Sequence, residues 1–280
     1  MKRIASIQDV SCLGRCSQTV ALPVVSAMGV ECAILPTAVL STHTSFPDFR
    51  CTDMTDGLLP AARHWKTQGV HFDALYTGYL ASDRQVAVVL EVLELLREKD
   101  TLLFVDPAMA DHGKLYAGFG PEFPALMAQV VAKAQITVPN ITEASLMTGL
   151  PYREVYDEAY IKELLWGVAA LGAEKVVLTG VSLERDTIGF MSYDSVTGRF
   201  DHYFNRREPH AYHGTGDIFS ATAVAGIVQG MNLRDAFRLA VDFTLRCIEV
   251  TRGDPQAAWY GVEFERALSM LTEKAAAWNA

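Results

Sequence analysis

No stretch of this sequence approaches the about 20 consecutive apolar residues that span a bilayer. The opening segment Met1-Lys2-Arg3-Ile4-Ala5-Ser6-Ile7 reads as a strand with basic flanks and no cleavable apolar core. The expectation is a soluble, cytoplasmic protein with no membrane partner. Positive charge is also short. Against 33 Asp and Glu stand 24 Lys and Arg, a net charge of −9, which argues against nucleic acid as a partner. Any anionic substrate then needs a local positive device. Cysteine is scarce and odd in number: Cys12, Cys16, Cys32, Cys51 and Cys247. Cys12 and Cys16 have no neighbouring His or Cys to complete a zinc site, so reduced thiols are the reading. The seven histidines are scattered without metal-ligand spacing. There is no G-x-S-x-G for a nucleophilic serine and no G-x-x-x-x-G-K-[ST] phosphate loop. Phe219 stands where a G-x-G-x-x-G would need its last glycine. Repeats, low-complexity tracts and linkers are missing too, so residues 1–280 read as one domain.

What is present is a rhythm of short apolar runs and amphipathic stretches. Strands are expected at 4–8, 32–35, 74–77, 101–105, 135–138 and 176–178. Helices are expected at 19–28, 54–68, 85–97, 122–133, 161–171, 217–229, 233–251 and 263–277. A hairpin joins 188–193 to 199–204. The βαβα order predicts an α/β fold: a mostly parallel central sheet with helices on both faces, a three-layer αβα sandwich. Ligands on such sheets bind at the carboxyl ends of the strands. Two long polar loops, 43–50 and 109–120, are candidate binding loops.

The most informative segment is His213-Gly214-Thr215-Gly216-Asp217, followed at once by a small-residue helix. Glycine permits close approach of backbone to a ligand. The start of the next helix offers unpaired N–H groups and the positive end of its dipole. Asp217 in that place would take a proton from an attacking hydroxyl. The same four residues also suit an ordinary helix start. Asp106 ends a strand and Asp111 follows it, places suited to holding Mg²⁺ against nucleotide phosphates or, more plainly, to an Asp-Pro turn. Asn140 and Glu143 suit a helix cap with its N3 partner, or a phosphate contact and the metal's water shell. Thr179 ends a strand, within reach of a phosphate or in a plain turn. Asp9, His43, Thr44 and Tyr79 fall in polar clusters after the first three strands. Tyr79 would stack on a flat ring, and Asp9 would hydrogen-bond a ring nitrogen.

The order of these pieces resembles the ribokinase-like superfamily, and more closely its vitamin B6 kinases: S-I-Q-x near the start, H-T near 44, T-G-Y near 79, V-D-P-x-M near 106, P-N-x-x-E near 140 and G-T-G-D near 217. The resemblance covers nearly the whole chain. It implies a homodimer of ribokinase-like fold that transfers the ATP γ-phosphoryl group to the 5′-hydroxymethyl of pyridoxal, pyridoxine or pyridoxamine, in salvage of the cofactor. It implies Asp217 as base and Gly214, Thr215 and Gly216 as anion hole. Asp106, Asp111 and Glu143 would surround Mg²⁺. Asn140, Thr179, Asp106 and Thr215 would contact the nucleotide. Asp9, His43, Thr44, Tyr79 and Asp217 would meet the vitamer, and residues 109–120 and 206–213 would flank ATP.

Departures matter as well. Relatives carry serine where Asp9 stands, and the carboxylate would favour a protonated ring nitrogen or an amine, tilting preference toward pyridoxamine. A glycine-asparagine pair in relatives is Ser17-Gln18 here. Residues 107–120 lack the cysteine of some relatives, and Val138 replaces a threonine, which leaves a monovalent-cation site open. Rival readings are a hydroxymethylpyrimidine kinase of thiamin metabolism, a dehydratase repairing hydrated nicotinamide cofactors, and a non-catalytic vitamer-binding protein.

Overall fold

The structure, a computed structural model, describes residues 1–210 and 212–278. In chain order the elements are β1 (Arg3–Leu13), α1 (Gln18–Ala27), β2 (Glu31–Thr42), β3 (Cys51–Asp53), α2 (Thr55–Thr67), β4 (Ala74–Thr77), α3 (Asp83–Leu96), β5 (Leu102–Val105), β6 (Ala110–Asp111), β7 (Lys114–Leu115), α4 (Phe123–Val131), β8 (Ile136–Thr137), α5 (Ile141–Thr148), α6 (Glu158–Ala170), β9 (Lys175–Val181), β10 (Thr187–Asp194), β11 (Arg199–Arg206), α7 (Thr215–Val228), α8 (Leu233–Arg252) and α9 (Ser269–Trp278), with a 3₁₀ turn at Phe264–Ala267 before α9. Nine strands form one sheet in the order β11-β10-β9-β8-β5-β4-β1-β2-β3. The six from β9 to β2 in that order run parallel, while β3, β10 and β11 pair antiparallel at the margins.

Alternation along the strands explains the layers. A strand points successive side chains to opposite faces. Ala5, Ile7, Leu75, Leu103, Val105, Val176 and Leu178 point to one face, where α2, α3, α4, α5 and α6 cover them. Ile4, Ala74, Tyr76, Phe104, Ile136 and Val177 point to the other, under α1, α7, α8 and α9. Both faces are buried, so these strands read as continuous apolar runs. The expected αβα sandwich is what forms.

From β1 the chain steps outward in both directions, to β2 on one side and to β4 on the other. That makes the β1–β4 boundary a switch point, where ligands bind open parallel sheets. Several features were not foreseen. Strand β1 continues to Leu13 and β2 to Thr42, and β3 and the small β6–β7 hairpin are extra. Opposite Asp9 the β1–β2 register slips: Gln8 pairs with Pro36 but Val10 pairs with Val39, so β2 carries one extra residue. No helix among the described residues is long and apolar enough to cross a membrane.

Phe104 is fully buried and meets the Tyr76 ring edge-on at 5.7 Å. Phe104→Ala is expected to lower stability by about 3–5 kcal/mol, measured by urea unfolding, because the sheet centre cannot close the cavity left behind.

Candidate active site

The site begins at the head of α7. Gly214 is its N-cap, with φ +80° and no side-chain cap. A Cβ on Gly214 would run into the carbonyl oxygen of Arg15, so only glycine fits this left-handed position. An uncapped helix start leaves its first N–H groups for a ligand. The helix that follows is small and buried, with Ser220, Ala221, Thr222, Ala223 and Ala225 packed between α1 and α8. That packing fixes the first turn rigidly.

A cavity of about 520 Å³ opens onto this turn. It gathers Asp106, Asp111, Asn140, Glu143, Thr179, Gly214, Thr215, Gly216 and Asp217, nine of the residues singled out in the sequence. Its walls include His112 and Tyr116 from the expected loop 109–120, with Ala108 just before it, and Arg206, Glu208, Tyr212 and His213 from the segment 206–213. Residue 211, within the 206–213 segment, lies outside the described residues. One part of the wall was not foreseen: Val241, Thr244, Leu245 and Ile248 of α8. Their spacing is a helical stripe, which in sequence alone looks like any core-facing face.

The carboxylates crowd one another. Asp217 is partly exposed to the cavity, while Asp106 and Glu143 are 8% and 3% exposed. Burial, and then the charge of Asp106, push the Asp217 carboxyl up to about 8. Burial pushes Asp106 up to about 6, against a hydroxyl hydrogen bond from Ser220 at 2.7 Å. Burial raises Glu143 well above the usual range, and Asp106 adds to it. The backbone N–H of Ser17 favours the ionised form of Asp217.

Asn140 and Glu143 form a complete capping box on α5. Asn140 Oδ1 accepts from the Glu143 N–H at 2.9 Å, and Glu143 Oε2 accepts from the Asn140 N–H at 2.8 Å. Glu143 Oε1 accepts from the Met109 N–H at 3.1 Å, and Asn140 Nδ2 donates to the Ala110 carbonyl at 2.8 Å. The cap therefore also ties α5 to the loop carrying Asp111. Thr179 bridges to Asn140, and its hydroxyl lies 3.4 Å from the Pro139 carbonyl. Among the described residues no group of three or more His, Cys, Asp or Glu is arranged to hold a metal ion. Mg²⁺ takes one or two carboxylates plus water and phosphates rather than a protein cage. Asp106, with one oxygen left by Ser220, fits that pattern, and Asp111 lines the same cavity.

Asp9, His43, Thr44 and Tyr79 do not line this cavity. His43 is buried; its Nε2 lies 3.1 Å from the Tyr260 carbonyl and its Nδ1 accepts from the Ser45 N–H. Its ring stacks on His213 at 4.3 Å, joining the turn after β2 to the turn that heads α7. Thr44 sits in that turn, half-buried. Burial and the charge of Asp9 raise the Tyr79 hydroxyl to about 12. Asp9 is 3% exposed, and its Oδ2 accepts from the Ser11 hydroxyl at 2.9 Å. Burial raises its carboxyl, while the hydroxyls of Ser17 and Ser11 oppose the rise. Its charge is felt at Asp217, so this second group lies just behind the first.

An uncapped helix turn with an adjoining carboxylate, set in a cavity at the carboxyl ends of a parallel sheet, defines a ribokinase-like small-molecule kinase. The family profile for phosphomethylpyrimidine kinase matches residues 22–258, and the chain belongs to that family. A Bordetella avium (strain 197N) pyridoxine/pyridoxal/pyridoxamine kinase is 28% identical over 264 residues, covering 89% of this chain and 85% of the relative. A Bacteroides thetaiotaomicron VPI-5482 structure, assigned as a phosphomethylpyrimidine kinase and crystallised with pyridoxal, is 34% identical with TM-score 0.91, covering 96% and 95% of the two chains. The pyridoxal kinase of Lactobacillus plantarum is 30% identical with TM-score 0.88, covering 98% of each chain.

The crowding has a measurable cost. A carboxyl raised in the folded state contributes full stability below its unfolded value near 3.8 and loses it as pH rises through its folded value of about 8. Asp217→Asn removes that loss. Without nucleotide, its melting temperature is expected to match the parent near pH 4 and to exceed it increasingly up to pH 8, by roughly 2–4 °C per kcal/mol. A constant gap across pH would refute the charge origin.

Proposed function

We propose that the protein transfers the γ-phosphoryl group of ATP to the 5′-hydroxymethyl of a vitamin B6 vitamer. The observation that carries this reading is the Asp217 carboxylate at the uncapped head of α7, beside Asp106 in the cavity. Asp217 accepts the proton of the attacking hydroxyl. Its raised proton affinity suits a base working near neutral to slightly alkaline pH. The N–H groups of Gly214, Thr215, Gly216 and Asp217 meet the charge that grows on the transferring phosphoryl group. Asn140 and Thr179 orient the phosphates, and the α8 stripe from Val241 to Ile248 walls the nucleotide. Asp106 and Asp111, with Glu143 through water, would hold Mg²⁺, which supplies neutralisation of the phosphate charge when bound.

The acceptor ring lies on the other side of Asp217, among His43, Thr44 and Tyr79. Residues 1–280 act as one kinase domain, working in the cytoplasm as a homodimer. The half-exposed Leu22 and Ile34, on the touching elements α1 and β2, support a second copy on that face. The matched family profile favours a second reading, phosphorylation of hydroxymethylpyrimidine. It uses the same base and anion hole and differs only in the ring pocket.

ADP release with Mg-ATP against pyridoxal, pyridoxine, pyridoxamine and hydroxymethylpyrimidine separates the two. Turnover on the vitamers is expected, with Asp217→Ala reducing it by about 10²–10⁴-fold while ATP still binds. Turnover on the pyrimidine alone moves the protein to the second reading. Near-normal turnover of Asp217→Ala removes Asp217 as base.

A further inference from the structure

We propose that Asp9 is a positioning residue: it holds the β1–α1 loop in a glycine-like conformation at Ser17, and that loop braces Asp217 and the Gly214 turn. The inference rests on Asp217 being the base.

Three observations converge on it. The first is the conformation of Ser17, with φ +49° and ψ −130°, close to the first central position of a type II′ turn. Glycine normally occupies that position, and a side chain there persists only where its surroundings enforce it. Ser17 is 6% exposed, and its carbonyl accepts from the Val20 and Ala21 N–H groups, so the conformation is locked to the start of α1.

The second is the placement of Asp9. The register slip opposite it takes its backbone out of the regular β1–β2 ladder at the carboxyl end of the strand. Its buried carboxylate faces back along its own chain, onto Ser11 at 2.9 Å and the hydroxyl of Ser17. A buried carboxylate needs such donors. Ser17 in turn gains a partner for its hydroxyl in the one conformation that brings it there.

The third is what the loop touches. The Arg15 carbonyl packs on Gly214 so closely that no Cβ fits between them. Gly14 packs on the His43 ring, which stacks on His213. The Ser17 N–H favours the ionised Asp217. Gln18, next in line, is buried and donates to the Ser6 carbonyl at 2.7 Å. The loop therefore lies between the end of β1 and the catalytic turn, touching both.

On this account a carboxylate at position 9 and a serine at position 17 are one device. Loss of Asp9 frees a strained residue to relax, and the relaxation moves an N–H away from Asp217. Glycine at 17 makes the support unnecessary, because it adopts the same dihedral angles unaided.

The test is a mutant cycle of Asp9→Ala, Ser17→Gly and the double variant, read by steady-state kinetics with pyridoxal and pyridoxamine and by thermal unfolding. Asp9→Ala is expected to lower kcat about 10- to 100-fold, the scale of small misplacements at a reacting centre. KM for both vitamers should stay within about twofold, the signature of lost transition-state positioning. Ser17→Gly in the Asp9→Ala background is expected to recover most of the lost kcat and melting temperature. No rescue, or a raised KM with a changed vitamer ranking, overturns the proposal and makes Asp9 a contact to the acceptor ring. Should Asp9→Ala fail to fold, Asp9→Asn keeps one acceptor oxygen and should show a smaller kcat loss at unchanged KM; an unchanged kcat overturns the proposal. Thermal coupling between positions 9 and 17 is read without any substrate. It therefore stands or falls separately from the assignment of Asp217, which Asp217→Ala decides.

Discussion

The burial of several carboxylates side by side is the constraint on which the site depends. Asp9, Asp106, Asp217 and Glu143 converge at the carboxyl ends of β1, β5 and β8 and the head of α7, and burial raises all four. In a chain of net charge −9, no lysine or arginine is set among them to neutralise the group; among the described residues, hydrogen-bond donors do that work. Ser220 serves Asp106, Ser11 serves Asp9, and two backbone N–H groups serve Glu143. Donors of this kind orient a carboxylate without cancelling its charge. A cavity that is negative on one wall and lined by free helix N–H groups on another suits a ligand carrying both signs, as a magnesium nucleotide does. The folded state bears the strain of burying them.

Two apolar layers make that strain tolerable. The sheet buries both faces, and α7 is buried from Ile218 to Gly226, so the turn at its head has little room to drift and relax the crowding. Rigid interiors transmit small displacements rather than absorbing them. Close contacts at Gly214 and Gly14 follow from this. There the β1–α1 loop, the turn after β2 and the α7 turn are pressed together, and glycine is the residue that admits the approach. Precision at Asp217 is thus a property of three loops and not of one motif.

Much of this was legible in the sequence because the strands are short and apolar and the helices end on good caps. The helix expected at 85–97 forms as α3, with Ser82 rather than Asp83 as its cap. Asn140 and Glu143 illustrate a different point. Their reading as a cap and their reading as site residues looked like rivals, yet the capping box forms and both residues line the cavity. A helix start is both a place needing a cap and a place facing a ligand. What stayed hidden was set by distant pairing. The slip opposite Asp9 arises from an extra residue in β2, which no local pattern in β1 reveals. The positive φ of Ser17 is invisible where serine replaces glycine. The α8 stripe at 241, 244, 245 and 248 has the spacing of a core face, and only the tertiary fold turns it toward a cavity. The β6–β7 hairpin, two residues a strand, is too short to show a period.

The two halves of the site come from different parts of the chain. The phosphoryl-transfer half is built from β5, β8, β9, α7 and the loops after them, while the proposed ring pocket is built from β1, β2 and β4. They meet along the β4–β5 pairing, at Asp217, at the Arg15–Gly214 contact and at the His43–His213 stack. Such a division lets the acceptor change while the chemistry stays fixed. It accounts for a family named for a pyrimidine substrate that includes a structure crystallised with pyridoxal. Both acceptors present a hydroxymethyl group on a flat nitrogen heterocycle, so the anion hole and base serve either without change. Discrimination then falls to the proposed ring pocket, where His43, Thr44 and Tyr79 stand. Asp9 and Ser17 face the chain's own backbone instead. On that account the choice of acceptor and the alignment of Asp217 are carried by different residues of the same neighbourhood, and the β1–α1 loop serves the alignment.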